Sequence, residues 1–110
     1  MSTNIKAVSD QSFTTDVIEA SKIALVLVEA WVDWCEACKV FGPSLEELAE
    51  ELADKLTVAG LEADVNQMSS TKYDVRAIPT VILFRNGVPA AKRTGVQSTA
   101  QMKDWIGTLI

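Results

Sequence analysis

Residues 30–43 have the sequence AWVDWCEACKVFGP and contain both cysteines of the chain, Cys35 and Cys38. Two cysteines at this spacing occur in redox-active dithiols, in metal sites and as small buried core residues. A zinc site needs four nitrogen or sulfur ligands, and this chain supplies two thiols and no histidine. A zinc or iron–sulfur centre would have to bridge two chains, so we expect no metal within one chain. The spacing favours a redox-active pair, with inert buried cysteines as the alternative.

Length and charge limit the class of protein. The chain has 110 residues, of which 48% are hydrophobic, and no Gly/Ser-rich or Pro-rich run divides it. These features predict a single domain over residues 1–110. The net charge of −5 and the scattered Lys and Arg residues argue against nucleic-acid binding, which needs clustered basic residues.

The sequence contains no recognisable targeting signal. Residues 1–10 are polar and lack the apolar core of a signal peptide, and the longest apolar run, residues 23–28, is too short to span a bilayer. We therefore expect a cytoplasmic protein with no membrane contact. Permanent disulfides are disfavoured in that reducing compartment, which favours a catalytic or metal-binding role for a close cysteine pair over a structural disulfide.

The hydrophobic pattern predicts an α/β fold with a mixed sheet and helices on both faces. Pro43 lies within an amphipathic helix and predicts a kink near Gly42. The Asn86–Gly87 pair predicts a tight hairpin turn, and Pro89 predicts that the returning strand lies at an edge. The predicted strands cover residues 4–8, 23–32, 56–64, 80–84 and 88–94. The predicted helices cover residues 13–21, a long stretch after Cys35, residues 66–75 and the C-terminal residues.

Polar residues before three of these helices predict their N-caps. Ser12 precedes the first helix, Asn66 the third, and Ser98 or Thr99 the last. The C-terminal helix is expected to turn four apolar side chains inward: Met102, Trp105, Ile106 and Leu109.

Cys35 lies where a predicted strand gives way to a helix. The first N–H groups of a helix have no intrahelical partner, and the helix dipole is positive there, so a thiolate is stabilised. We expect Cys35, with an open face, to attack a substrate disulfide and form a mixed disulfide. Cys38, one turn further into the helix, is then placed to displace the reduced substrate.

Four segments occur in order along the chain: VLVEAWVDWCEACK at 26–39, YDVRAIPT at 73–80, LFRNG at 83–87 and RTGVQS at 93–98. Together with Pro43, they resemble the thioredoxin family from about Phe13 to Ile110. The resemblance implies a thioredoxin fold, with a central mixed five-stranded sheet flanked by four helices. It also implies a thiol–disulfide oxidoreductase that reduces disulfides of client proteins. Such an enzyme needs no cofactor beyond its Cys35–Cys38 pair and is recharged by a thioredoxin-reductase-like electron donor.

The resemblance also implies a substrate-binding surface. It makes Pro79 a cis-proline, whereas the residue alone would suggest an ordinary trans proline at the start of a strand. The backbone of Ile78 would then lie against the reactive sulfur and pair with an extended substrate segment. Trp34, Ile78, Pro79, Gly95 and Val96 would surround this docking site.

The chain departs from the family pattern at two places. Glu36 and Ala37 replace the usual Gly-Pro between the cysteines, and Glu36 should disfavour the nearby Cys35 thiolate and make the protein more reducing. Beneath the site, Glu29 replaces the usual Asp, and Gly60 stands where the family carries a Lys. Burial without a cation should raise the pKa of Glu29, which could then take the proton of Cys38. A Glu29 that reaches solvent at the strand end is the alternative.

Several functions remain open at this stage. An enzyme that reduces protein disulfides is favoured, but the same residues would suit an oxidant or an isomerase. The direction of electron flow depends on the reduction potential. A difference of about 30 mV between two couples corresponds to a tenfold change in the equilibrium constant. A non-catalytic adaptor that docks a partner in the same groove is the alternative from another class. We expect a monomer.

Overall fold

The computed structural model describes residues 4–110 and places them around a central five-stranded sheet. The strand order is β1-β3-β2-β4-β5. Strands β1, β3 and β2 are parallel, whereas β4 is antiparallel to β2 and β5 is antiparallel to β4. The predicted mixed sheet is therefore confirmed. The strands are β1 (Ile5–Val8), β2 (Leu25–Trp31), β3 (Leu56–Glu62), β4 (Thr80–Arg85) and β5 (Val88–Thr94).

The four predicted helices are present, although the first is not an α-helix. It consists of a π-helical segment, Thr14–Glu19, followed by a 3₁₀ turn, Ala20–Lys22. A second 3₁₀ turn, Ala63–Val65, occupies residues that the sequence assigned partly to a strand. The α-helices are α1 (Glu36–Glu51), which continues past Pro43, α2 (Gln67–Lys72) and α3 (Thr99–Gly107).

The cap of α3 is confirmed, but Ser12 does not cap the first helix. Ser98 Oγ accepts a hydrogen bond from the Gln101 N–H, and the Gln101 side chain accepts one from the Ser98 N–H. The first helical segment instead begins after Phe13 and has no side-chain cap. The Ser12 hydroxyl accepts a hydrogen bond from the Ser9 N–H at 2.9 Å, so it supports the preceding turn.

Asn66 stands before α2, but its side chain does not cap that helix. Its Oδ1 accepts from the Asp10 N–H at 2.9 Å. The carboxylate of Asp10 accepts from the N–H groups of Met68 and Ser69, at 3.2 and 2.9 Å, and so caps α2 from a distant loop. Hydrogen bonds to the Asp10 carboxylate, with the largest contribution from the Ser69 side chain, hold the pKa of Asp10 below its ordinary value.

Side chains alternate along the strands and build a separate core on each face of the sheet. Leu27 of β2 packs with α1 and α3, whereas Val26 and Val28 pack with Phe13 and Val17 on the opposite face. Glu29 follows Leu27 by two residues and therefore faces the α1 side. This alternation places a carboxylate beneath the helix that begins at the cysteines.

The hairpin between β4 and β5 confirms the predicted turn. Asn86 and Gly87 have φ angles of 55° and 84°, as a type I′ turn requires. Pro89 lies in β5, the outermost strand of the sheet, where its missing N–H costs no hydrogen bond towards a further strand.

Candidate active site

The cysteines form a disulfide at the start of α1. Their Cα atoms are 5.3 Å apart, within the usual range for a disulfide. Cys35 is the N-cap residue with extended backbone, and its Sγ accepts a hydrogen bond from the Cys38 N–H at 3.0 Å. The predicted strand-to-helix junction is confirmed. The Cys38 N–H, which has no partner within the helix backbone, therefore donates to the sulfur of Cys35.

The two cysteines are almost equally buried. Cys35 is 8% exposed and Cys38 is 9% exposed, so the expected open face of Cys35 does not appear as greater residue exposure. Both pack in a small cluster with Val32, against which Ala37 and Ile78 also pack. The difference between the sulfurs therefore lies in their hydrogen bonding and position in α1 rather than in residue burial.

Trp34 lies directly before the disulfide and is 74% exposed. Its indole N–H donates to Asp64 Oδ2 at 3.1 Å, which fixes the ring across a separation of thirty residues. Asp64 has no sequence signature for this contact, because no local pattern links a residue after β3 to the loop after β2. This hydrogen bond holds a broad aromatic surface beside the cysteines.

The remaining predicted docking residues come from two loops. The Ile78–Pro79 peptide bond is cis, as the resemblance implies. The Gly95 N–H donates to the Pro79 carbonyl at 2.9 Å, and Gly95 has a φ of +91°, a conformation that favours glycine. Val96 is 45% exposed. The structure thus joins Pro79 to Gly95 and packs Ile78 against the cysteine cluster.

Glu29 is buried in the sheet and borders the same groove as the two cysteines. It lies in β2 between Gly60 of β3 and Val81 of β4, and it is only 7% exposed. Its Oε2 atom is buried and has no hydrogen-bond partner among residues 4–110. Burial raises the pKa of Glu29 from an ordinary 4.5 to about 7. The alternative of a solvated strand-end Glu is therefore wrong.

Glu36 has the opposite environment, although it lies between the two cysteines. Its side chain is 87% exposed and forms an ion pair with Lys39 at 3.4 Å, one turn along α1. Ala37 is half-buried and packs against the cysteine cluster. The two residues between the cysteines therefore face different surroundings.

A groove of about 860 Å³ runs beside the disulfide, between β2 and α1. We call it the α1–β2 groove. Glu29, Cys35 and Cys38 border it at one end, and Glu46, Glu47 and Glu50 border it further along α1. Across residues 4–110, no cluster of three or more His, Cys, Asp or Glu side chains could hold a metal ion.

Among the helices in the described part of the chain, none is both long enough and apolar enough to cross a bilayer.

Comparison with known proteins agrees with this geometry. The thioredoxin family model matches residues 4–108. The chain is 46% identical over 102 residues to a thioredoxin of Acidithiobacillus ferridurans, covering 93% of each protein. It is 40% identical over 102 residues to a thioredoxin of Rhodospirillum rubrum, covering 93% of this chain and 96% of that protein. The chain therefore belongs to the thioredoxin family, and with its Cys35–Cys38 pair it is a thiol–disulfide oxidoreductase.

Proposed function

We propose that the protein reduces disulfides of client proteins, with Cys35 as the nucleophile. The Cys35 thiolate attacks one sulfur of the client disulfide, forms a mixed disulfide and releases the other client sulfur as a thiolate. Cys38, once deprotonated, attacks Cys35 Sγ, re-forms the Cys35–Cys38 disulfide and releases the second client thiolate. Two thiols are oxidised and one client disulfide is reduced. The hydrogen bond from the Cys38 N–H to Cys35 Sγ supports this assignment, because it stabilises negative charge on Cys35.

Glu29 is proposed as the group that accepts the proton of Cys38. A general base works best when its pKa lies near the working pH, and burial raises the pKa of Glu29 to about 7. Both Glu29 and Cys38 border the α1–β2 groove, which is the space through which the proton would pass between them. The released client thiolates recover their protons from solvent.

The client is proposed to dock on the exposed side of the disulfide. Trp34 and Val96 offer exposed apolar surface there. The hydrogen bond from the Gly95 N–H to the Pro79 carbonyl connects the two loops that carry the other docking residues. An extended client segment can pair with the backbone of Ile78, which packs beside the cysteines. Backbone pairing is independent of sequence, so this surface suits many clients.

The electron donor is proposed to be a thioredoxin-reductase-like protein that reduces the Cys35–Cys38 disulfide after each turnover. We propose further that the protein works in the cytoplasm as a monomer, without a cofactor, nucleic acid or membrane. The electron donor and the cytoplasmic location are proposed because a reductase of protein disulfides needs a continuous supply of electrons from a reducing compartment.

The observation that carries the proposal is the position of Cys35 at the N-cap of α1, in a disulfide with Cys38 and next to the exposed Trp34. The test is reduction of insulin by catalytic amounts of the protein with dithiothreitol as electron source. We expect multiple turnovers per protein molecule. Insulin precipitation no faster than with dithiothreitol alone would contradict the proposal and favour an adaptor.

The direction of electron flow needs a second measurement. We expect the Cys35–Cys38 disulfide, equilibrated against glutathione buffers, to have a potential near the roughly −270 mV of thioredoxin rather than the roughly −120 mV of the oxidant DsbA. Acid quenching, alkylation and mass spectrometry would give the reduced fraction. A potential near the DsbA value would make the protein an oxidant.

A further inference from the structure

The α1–β2 groove has more acidic than basic side chains. Its described lining contains five carboxylates, from Glu29, Asp33, Glu46, Glu47 and Glu50. Lys39 is the one basic side chain in that described lining, and it is already paired with Glu36. The groove therefore has a negative potential that a cationic ligand would complement.

Two of these carboxylates have a buried oxygen without a partner. The Oε2 atoms of Glu29 and Glu46 lack a hydrogen-bond donor within the described part of the chain. Glu29 is more than nine-tenths buried and borders the groove. A desolvated carboxylate without a partner is costly, and a ligand that supplies a charged donor would remove that cost. The inner end of the groove is thus suited to a cationic head group.

The walls of the groove determine what kind of cation fits. Apolar surface comes from Ile5, Trp31, Val32 and Pro43 together with the disulfide. Such walls favour a hydrocarbon chain over a hydrated metal ion, which needs several oxygen ligands around it. The absence of a metal-binding cluster within residues 4–110 agrees with this preference. An organic cation with an aliphatic chain meets both requirements.

The carboxylates at the outer end of the groove lie far enough from the cysteine end to bind a second charged group of the same ligand. Cys38, at the inner end, and Glu46 are eight residues apart, which corresponds to roughly 12 Å along a helix axis. Glu47 and Glu50 lie near the same outer end. A linear aliphatic chain of about that length, with an ammonium group at each end, would reach from the cysteine end of the groove to this outer group.

We propose that the α1–β2 groove is a binding site for linear aliphatic amines, with one ammonium group on Glu29 Oε2 and the chain along the apolar walls. A second ammonium group at the far end interacts with the carboxylates of Glu46, Glu47 and Glu50. Glu29 and both cysteines border this site, but none of the docking residues around Trp34 does. Amine binding requires no redox step, so the proposal stands whether or not the protein reduces client disulfides.

Binding of this kind should depend on pH in a defined direction. The ammonium group pairs with ionised Glu29, whose pKa is about 7 without ligand. Below pH 7, binding should weaken by up to about tenfold per pH unit because the carboxyl must first lose its proton. The other charged groups that face Glu29 across the groove are Asp33 from the loop after β2 and Lys39, Glu46, Glu47 and Glu50 from α1. The disulfide does not titrate.

Calorimetric titration of the oxidised protein with octylamine, octanol and α,ω-diaminooctane tests the proposal. Octanol has a similar chain without the charge, and the diamine adds the second charge. We expect the affinities to rise from octanol to octylamine to the diamine. Glu29→Gln should weaken octylamine binding by more than about tenfold. The matched control is Glu19→Gln, which removes the same charge from the helical segment on the opposite face of the sheet and should leave binding unchanged within about twofold.

A second readout avoids dependence on a variant that fails to fold. Carbon-13 NMR of the Glu29 carboxyl carbon in the unmodified protein should show its pKa falling when octylamine is added. Equal binding of octanol and octylamine, equal losses in the two variants, or a Glu29 titration that ignores the amine would each overturn the proposal. Because the disulfide stays oxidised, none of these outcomes bears on the reduction of client proteins.

Discussion

Glu29 and Glu36 are two carboxylates close to the same disulfide, and they have opposite surroundings. Glu29 lies beneath it in β2, is 7% exposed and has an Oε2 without a partner among the described residues. Glu36 lies between the cysteines in sequence, has a side chain that is 87% exposed and pairs with Lys39. From its position in the sequence, Glu36 would be expected to affect the chemistry of the cysteines more. Burial instead favours the carboxylate of Glu29.

The difference in magnitude follows from solvation. The rise in the pKa of Glu29 from 4.5 to about 7 corresponds to about 3 kcal/mol against the ionised form in the folded protein. An exposed carboxylate that pairs with a lysine is screened by water and salt, so its field at the sulfur is weak. We therefore expect Glu29 to dominate proton transfer and Glu36 to make only a small adjustment to the redox couple.

Substitution of the cysteines is expected to have the largest effect on client reduction, because the two sulfurs are proposed to have different roles. Cys35→Ser should abolish insulin reduction because the sulfur at the helix N-cap is lost. Cys38→Ser should instead accumulate a mixed disulfide between Cys35 and the client, because the resolving sulfur is missing. Mass spectrometry of acid-quenched mixtures would measure the adduct. An adduct in comparable yield on Cys38 of the Cys35→Ser protein would show that the two sulfurs are equivalent.

The next effect should appear in the rate when the buried carboxylate is removed. Glu29→Gln keeps the shape of the side chain and should slow client reduction by about ten- to a hundredfold, the low end of general acid–base effects. The rate of the unmodified protein should rise with pH through about 7, where Glu29 ionises, and this step should vanish in the variant. Glu36→Gln is the matched control and should retain the step. An unchanged rate for Glu29→Gln between pH 6 and 9 would remove Glu29 from the mechanism.

The same substitution should stabilise the fold in a pH-dependent way. The pKa of Glu29 is raised on folding, so the folded state binds more protons than the unfolded state between about 4.5 and 7. Stability lost by the unmodified protein as pH rises through this window should be retained by Glu29→Gln. The gain should be small below pH 4.5 and reach about 1–3 kcal/mol above pH 7, where ionised Glu29 is buried. Urea denaturation at pH 4 and pH 8 would measure it, and equal gains at both would contradict the electrostatic cause.

The smallest effect concerns Glu36. Its substitution by Gln should let the Cys35 thiolate form at lower pH, by about half a pH unit or less, because a weak repulsion is removed. Ultraviolet absorbance of the thiolate in the reduced protein would measure this shift. A shift in the opposite direction would mean that the Glu36–Lys39 pair, rather than Glu36 alone, controls the charge near Cys35.

Most of the fold could be predicted from local patterns. The Asn86–Gly87 turn and the N-cap at Ser98 have short signatures, and the structure contains both. The long apolar run around Glu29 correctly predicted a central strand. These features are set by residues within a few positions of one another, which is why the sequence alone identifies them.

The errors and omissions involve contacts between residues far apart in the chain. Asn66 was predicted as a cap by its position, but Asp10 caps α2 from 58 and 59 residues away. Asp64 holds Trp34 across thirty residues and has no sequence signature. The α1–β2 groove likewise depends on how α1 lies over β2. The sequence could name Glu29 as an unusual strand residue, but only packing shows which surface it borders.

Burial is expected to make Glu29 the proton acceptor beneath the disulfide, and the titration of its carboxyl group decides whether it is suited to that role. Carbon-13 NMR of the Glu29 carboxyl carbon in the oxidised protein would follow its ionisation without interference from thiols. We expect a midpoint near pH 7. A midpoint near the ordinary value of 4.5 would contradict it, because Glu29 would then be solvated and no better suited to accept a proton from Cys38 than an exposed carboxylate such as Glu36.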